Sequence, residues 1–334
     1  VSLSKQEEPR VKLAAARGFS SLKDQRGLSL LGDLLESDDA YVRGRSYQTL
    51  RGLTGQTLSF AIDGNAEQRG KEVAAWKKWL ADNGKTLTWT LPLVDGDVPL
   101  KRILFISQSQ GFSREIDAAH QDRWTRKGRP TACQGLPNGH RLIADSQDGV
   151  VIELGDEKTP VWTSPRLPEQ ISSLQRLENG NTLATIHSGL VEFTPAGEVN
   201  HVPMEGIPTS AQRLASGMTL VTLLNQERVV EVDAAGNITW EVRGLSGPYQ
   251  ATRLDTGNTL IVQINSNQVI EVDRSGLRTV WKSAVPLVQP RAAARLQNGN
   301  TLISDQSGLH EVSADGKTVV WQMKQVEITS FHAF

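Results

Sequence analysis

From about residue 102 to the C-terminus, apolar and polar residues alternate in short runs broken by Asn-Gly and Asp-x-x-Gly punctuation. A period of two is what a half-buried β-strand requires. The runs also repeat on a longer scale. RLDTGNTLIVQINSNQVIEVDRSGLRTVW (253–281) recurs as RLENGNTLATIHSGLVEFTPAG from Arg176, as RLASGMTLVTLLNQERVVEVDAAGNITW from Arg213 and as RLQNGNTLISDQSGLHEVSADGKTVVW from Arg295. A worn copy begins at Gly135. The turn glycines Gly139, Gly180, Gly217, Gly257 and Gly299 are spaced 41, 37, 40 and 42 residues apart. A period of about 40 marks a propeller or a solenoid.

Each copy divides into four strands. In the copy around Gly257 they are expected at 249–254, 259–264, 269–273 and 279–283, with a tight hairpin between the first two. A further copy, 102–124, supplies a second, third and fourth strand but no convincing first one. The C-terminal ITSFHAF (328–334) aligns with ISSLQRL (171–177), so the tail is expected to provide it. The fold predicted is mainly β: a six-bladed β-propeller over 85–334, closed by the C-terminal strand. Closure removes the open sheet edge that invites aggregation. TWTLPLV (88–94) is left as a connector.

The first 84 residues carry helical spacing instead. Amphipathic stretches fall at 12–22, 27–37, 38–55 and 65–80, the last with Val73, Trp76, Trp79 and Leu80 on one face. Asp38 or Asp39 can cap the third helix, Gly55 ends it, and Asn83-Gly84 stops the fourth. The order "acidic turn, Ala-Tyr-Val-Arg, helix, Leu-x-x-Leu-Thr-Gly" over about residues 7–55 resembles a short bacterial HEAT repeat. Such units bury their apolar faces by stacking. One and a half of them implies a longer array or docking on the propeller, as a protein-binding arm or as a structural cap.

Bulk properties narrow the partners. Net charge is −1 and pI about 6.7, so nucleic acid is not expected. No apolar run reaches transmembrane length. The single Cys133 excludes an internal disulfide framework and a cysteine-based zinc site. The chain opens Val1-Ser2-Leu3 rather than on Met, so a processed or trimmed product is expected.

Residues that recur in every copy belong to the fold, and residues that depart from the repeat are the candidates for function. Glu115, Glu153, Glu192, Glu231, Glu271 and Glu311 fill one column of the third strands. Lying away from the axis and from one another, they are expected to tie to arginines such as Arg176, Arg213, Arg253 and Arg295, not to bind metal. Trp124, Trp162, Trp240, Trp281 and Trp321 form a second column, expected to fill gaps between blades.

The departures lie on the face that carries the longer loops. Its loops between second and third strands, SQSQG, DSQDG, IHSG, LNQE, INSNQ and DQSG, suit a sugar or a peptide, or are solvated turns. First strands enter there with Thr131, Ser172, Thr209 and Thr329, but two adjacent copies carry Tyr249 and Arg291 instead. An aromatic beside a cation suits an anionic or peptide group. His187 lies in a loop near this mouth. Asp145 and Asp305 end second strands, where a carboxylate caps a turn or serves chemistry. The candidate ligand-binding set is therefore Tyr249, Arg291, His187 and Asp305. No catalytic residue, metal site or cofactor is assigned, because G-x-S-x-G, Walker A, C-x-x-C-H and H-E-x-x-H motifs are all missing from the sequence.

The repeat "R-L-x-N-G-N-T-L … V-x-E-V-D-x-x-G-x-x-x-W" resembles that of quinoprotein-like (PQQ-like) and arylsulfotransferase-like propellers of exported bacterial proteins. The resemblance covers about 230 residues. It implies a propeller and an extracytoplasmic location, periplasmic or secreted. It carries over no catalytic residue: where the sulfotransferases use a channel histidine, the positions before Arg-Leu are Gln175, Gln212 and Thr252. The expected function is a non-enzymatic binding or scaffold module for a protein or carbohydrate partner. The alternative is a propeller enzyme of sulfotransferase or lactonase type acting at the mouth.

Overall fold

A computed structural model describes residues 7–334 apart from 57, 59, 61–65, 92, 94–101, 138, 156–158, 178 and 325. The chain divides into two compact units, one containing the helices and one containing the strands.

The helical unit comprises α1 (Glu7–Ser21), α2 (Gln25–Leu34), α3 (Ala40–Thr54) and α4 (Ala66–Asn83). Asp24 caps α2 by accepting from the Arg26 N–H, and Asp39 caps α3 by accepting from the N–H groups of Tyr41 and Val42. Gly55 ends α3 in the left-handed conformation at φ 67°. The apolar stripes of all four helices meet around Leu31, Leu35, Leu50 and Leu53, with Trp76 edge-on to Tyr47 at 5.9 Å. Val73 and Trp76 are buried as the spacing predicts, while Trp79 and Leu80 sit at the margin. Asn65, expected at the start of α4, lies outside the described residues, as do Pro92 and Val94 of the expected connector. The rest of that connector runs extended along the helices. Leu87, Trp89, Leu91 and Leu93, every second residue, pack on the helical core, and the Thr90 N–H donates to the Leu53 carbonyl.

The second unit is a six-bladed propeller of four-stranded antiparallel sheets. Blades two to six are contiguous in sequence. In blade five the strands run Pro248–Arg253, Thr259–Gln263, Gln268–Val272 and Thr279–Lys282, within one residue of expectation at each end. Blade one takes its outer three strands from Ile103–Ser107, Phe112–Ile116 and Asp122–Lys127, and its inner strand from Ser330–Ala333. Phe331 pairs with Phe105, and Ile103 with Ala333. The tail therefore shuts the ring, and Phe331 and Ile328 join Phe105, Ile116, Leu302 and Leu309 in the apolar seam between blades six and one.

The recurring motif is explained by contacts between blades. The Arg that opens it ends an inner strand and reaches back to the third-strand Glu of the preceding blade: Arg176 to Glu153, Arg213 to Glu192, Arg253 to Glu231 and Arg295 to Glu271. Three of these guanidiniums also hold their own hairpin turns: Arg176, Arg253 and Arg295 donate to the Gly180, Gly257 and Gly299 carbonyls. The turns call for glycine because their backbone is left-handed: Gly139, Gly180, Gly217, Gly257 and Gly299 lie at φ 84–87°. The Asn after the turn serves the Glu of its own blade, from Asn181 to Glu192, Asn258 to Glu271 and Asn300 to Glu311. Glu192 and Glu271 thus each tie two neighbouring blades.

Tryptophan completes the clasp. Arg176, Arg253 and Arg295 stack on Trp162, Trp240 and Trp281 of the preceding blade. Those indoles donate across to the Pro195, Arg274 and Ala314 carbonyls of the next blade. Blade two has Gly135 where blades three to six have Arg, and Arg141 of its second strand substitutes, bonding Glu115 and stacking on Trp124. The Glu column is structural: five of its members take an arginine from the adjacent sheet, and Glu311 takes Asn298 and Asn300 of its own.

Inner-strand edges are capped in the same direction. The side-chain carbonyls of Gln134, Gln175 and Gln212 accept from the N–H groups of Arg176, Arg213 and Arg253 one blade on, and that of Gln250 from Ala293. Backbone donors facing the channel are thereby satisfied by the protein itself.

Candidate functional site: the mouth of the propeller

All six inner strands begin on the loop-rich face, and their first side chains form a ring: Thr329, Thr131, Ser172, Thr209, Tyr249 and Arg291. A shift in register sets these residues apart from the ladder. Pairing skips from Pro130 to Ala132, from Pro208 to Ser210 and from Pro248 to Gln250, leaving Thr131, Thr209 and Tyr249 as the extra residue of a bulge. Bulges re-aim side chains, and here they do so at the channel entrance.

Tyr249 and Arg291 meet as their adjacency suggests. The Arg291 guanidinium carbon lies 4.9 Å from the centre of the Tyr249 ring. Both side chains are partly buried. Among the described residues the Arg291 side chain has no hydrogen bond and no ion pair, and its Nε is sealed from solvent without an acceptor. This sets it against Arg141, Arg176, Arg213, Arg253 and Arg295, each of which is clasped to a glutamate.

The loop that delivers Arg291 is fixed by three polar residues. Val288 donates its N–H to Asp305 Oδ2 at 2.9 Å. Gln289 sits at φ 48°, its N–H donating to Asn267 Oδ1 at 2.7 Å and its side-chain carbonyl accepting from Gln306 at 2.6 Å. A non-glycine residue in this region is held there by its surroundings. Pro290 then restricts the chain just before Arg291.

The other two candidates are placed differently. Asp305 is fully buried, and besides Val288 it accepts from the N–H groups of Ser307 and Gly308, from Ser307 Oγ and from His310 Nε2 at 3.0 Å. Burial alone would raise its pKa, but the His310, Val288 and Ser307 hydrogen bonds outweigh it and hold the carboxyl below the usual aspartate value. Asp305 thus orders the loop carrying Arg291 from behind and does not reach the ring. His187 is exposed in a loop of blade three, across the ring from blade six, and is not brought to Tyr249 and Arg291.

Two polar clusters escaped the sequence reading. Asp305, Ser307 and His310 have the residue types of a hydrolase triad, but Ser307 and Asp305 both contact the same imidazole nitrogen, Nε2. A relay needs the serine and the acid on opposite ring nitrogens, so the group is a turn lock. In blade three, Ser188 donates both its N–H and its Oγ–H to Glu169, with His201 Nε2 3.3 Å from the hydroxyl. The shared Ser-Gly-Leu of these loops, at 188–190 and 307–309, was the available signal. Gly308 is required because a Cβ there would lie 1.8 Å from the Met323 carbonyl.

Two further titratable side chains lie on inner strands. Burial pushes the Cys133 thiol up to about 12, so it is neutral and unreactive. Burial also lowers His332 to about 4. No group of three or more His, Cys, Asp or Glu among the described residues could hold a metal ion, and no described helix is long and apolar enough to cross a membrane.

No protein-family model and no curated protein matches the chain. Solved structures do. A protein of unknown function from Bacteroides caccae superimposes with a TM-score of 0.61 at 18% identity, covering 70% of this chain and 98% of its own. A chain of a nidogen/laminin complex gives 0.59 at 9% identity over 70% and 98%. A streptogramin B lyase gives 0.54 at 13% identity over 68% and 80%. The class these define is the six-bladed β-propeller, a scaffold that serves both catalysis and binding.

Proposed function

We propose that this protein is a non-enzymatic binding module that recognises a protein partner through the loop-rich mouth of its propeller, with Tyr249 and Arg291 as the anchor. The observation that carries the reading is the break in six-fold symmetry. Four blades present a small hydroxyl side chain at the mouth, and two neighbours present a stacked aromatic and cation held by an ordered loop. Tyrosine and arginine are the residues enriched at interface hot spots. The acid-and-histidine clusters support the same conclusion, because their geometry suits turn locking better than nucleophile activation.

In this reading, residues 85–334 form the recognition domain, and the HEAT-like segment 1–84 supplies a second protein-binding surface. The repeat's likeness to exported propellers motivates an extracytoplasmic setting. The amide-rich loops that would also suit a carbohydrate are spent in part on one another, as between Gln306 and Gln289.

The test is a peptide-display selection on the full chain with a photo-crosslinking residue at Tyr249 or, as control, at Leu277 on the opposite face. Selected peptides are expected to crosslink from 249 and to lose binding in Arg291→Ala. Crosslinking from 277 alone would sink the proposal.

A further inference from the structure

The chemistry of the ligand at this mouth is carried by a partly buried guanidinium that has no counter-charge among the described residues. A partly buried cation costs free energy unless an anion or acceptors compensate it. Elsewhere in the propeller that compensation is supplied without exception among the arginines that end the repeats: Arg176, Arg213, Arg253 and Arg295 each hold a glutamate, and Arg141 does so for blade two. At Arg291 it is missing. The two aspartates nearest in the repeat, Asp145 and Asp305, are buried and already engaged, Asp145 by Arg126 and the Gln147 N–H, Asp305 by its turn and His310.

The rest of the ring favours the same charge. No carboxylate stands among its other members: Thr209 and Thr329 donate their hydroxyls to the Thr222 and Ile106 carbonyls, which leaves those of Thr131 and Ser172. The Thr131 Oγ is buried with no hydrogen-bond partner, in a residue 6% exposed. The cation is also pre-set. Its guanidinium carbon lies 4.9 Å from the centre of the Tyr249 ring, and the Val288–Gln289 backbone is pinned by Asp305 and Asn267. The planar fork of a guanidinium matches the two oxygens of a carboxylate.

We infer that the mouth of this propeller is a carboxylate receptor, in which Arg291, braced by Tyr249, receives an acidic side chain or a chain-terminal carboxylate of the partner. This rests on the binding role proposed above and names the group that is bound.

The experiment is arginine Nε–H and amide NMR on the labelled full chain, with the Arg291 resonance assigned by its loss in Arg291→Lys. The additions are sodium acetate against sodium chloride at equal ionic strength, a blocked peptide containing Glu, a neutral peptide with a free C-terminus, and the same neutral peptide fully blocked. Saturable movement of the Arg291 signal with acetate and with a carboxylate-bearing peptide, and not with chloride, is the expected result. Which of the two peptides acts identifies side chain or terminus as the source. Affinity for that peptide should fall about ten- to a hundredfold in Arg291→Gln. If the neutral blocked peptide moves mouth amides such as Ser172 while Arg291 stays still, the carboxylate inference is overturned and the binding role stands. If no addition moves any mouth signal, both are overturned.

Discussion

At the scale of single residues, two titratable groups weaken the fold in acid by different routes. Asp305 has a lowered pKa in the fold, so its contribution to stability is present above about pH 3.9, the unfolded aspartate value, and is lost as pH falls through the folded one. Asp305→Asn should therefore cost about 2–3 kcal/mol at neutral pH. In urea titrations the gap from wild type should close below about pH 4. His332 behaves differently. Its folded pKa is about 4, so it stays neutral in the fold while the unfolded chain takes up a proton below about pH 6.5. It opposes folding progressively from about pH 6.5 down to about 4, by roughly 3 kcal/mol at the end. His332→Gln should flatten the pH dependence of the unfolding midpoint across that window. An unchanged slope would show that the imidazole is protonated inside the propeller.

At the scale of elements, the joint between adjacent sheets is an arginine held by a glutamate and covered by a tryptophan. The blade-three joint is a natural control. Asn200 stands where the tryptophan would be, pairing with Glu192, so Arg213 keeps its ion pair without the stack. Arg253→Ala should cost more than Arg213→Ala by about 1 kcal/mol, the worth of a partly desolvated cation–π contact, as read by thermal and chemical denaturation of the two variants. The repeat made these elements legible from sequence, because four strands and their turns recur with each copy and errors in one are corrected by the next. It also fixed which residues were structural. What it left hidden was direction, since nothing in the linear pattern says that Arg176 bonds Glu153 of the sheet before it. The mouth pair was legible for the opposite reason, as a departure from the column. Asp305 was legible only in part: its place at a strand end was evident, but its hydrogen bonds to Val288 and His310 depend on loops that the repeat does not specify.

At the scale of the whole molecule, ring closure rests on a short strand. Ser330–Ala333 supplies the inner edge of blade one, and Phe331 fills the seam between blades six and one. That seam lacks the repeated clasp. Glu311 is held by Asn298 and Asn300, and Trp321 stacks on His120 at 4.0 Å. Phe331→Ala should cost about 3–5 kcal/mol, more than a comparable truncation elsewhere. Ending the chain before residue 329 should convert a monodisperse species into one that self-associates, as seen by size-exclusion chromatography with light scattering. A monomeric truncated protein with an unaltered melting temperature would mean that the clasps hold the ring by themselves.

The pairing of the closing strand also constrains how the protein is made. Ile106 finds its partner Thr329 only 223 residues downstream. Five sheets can assemble as they emerge from the ribosome, but the earliest strands of the propeller must wait with a bare flank until nearly all of it has been translated. During that interval the nascent protein is open to capture by chaperones or by neighbours on the same message.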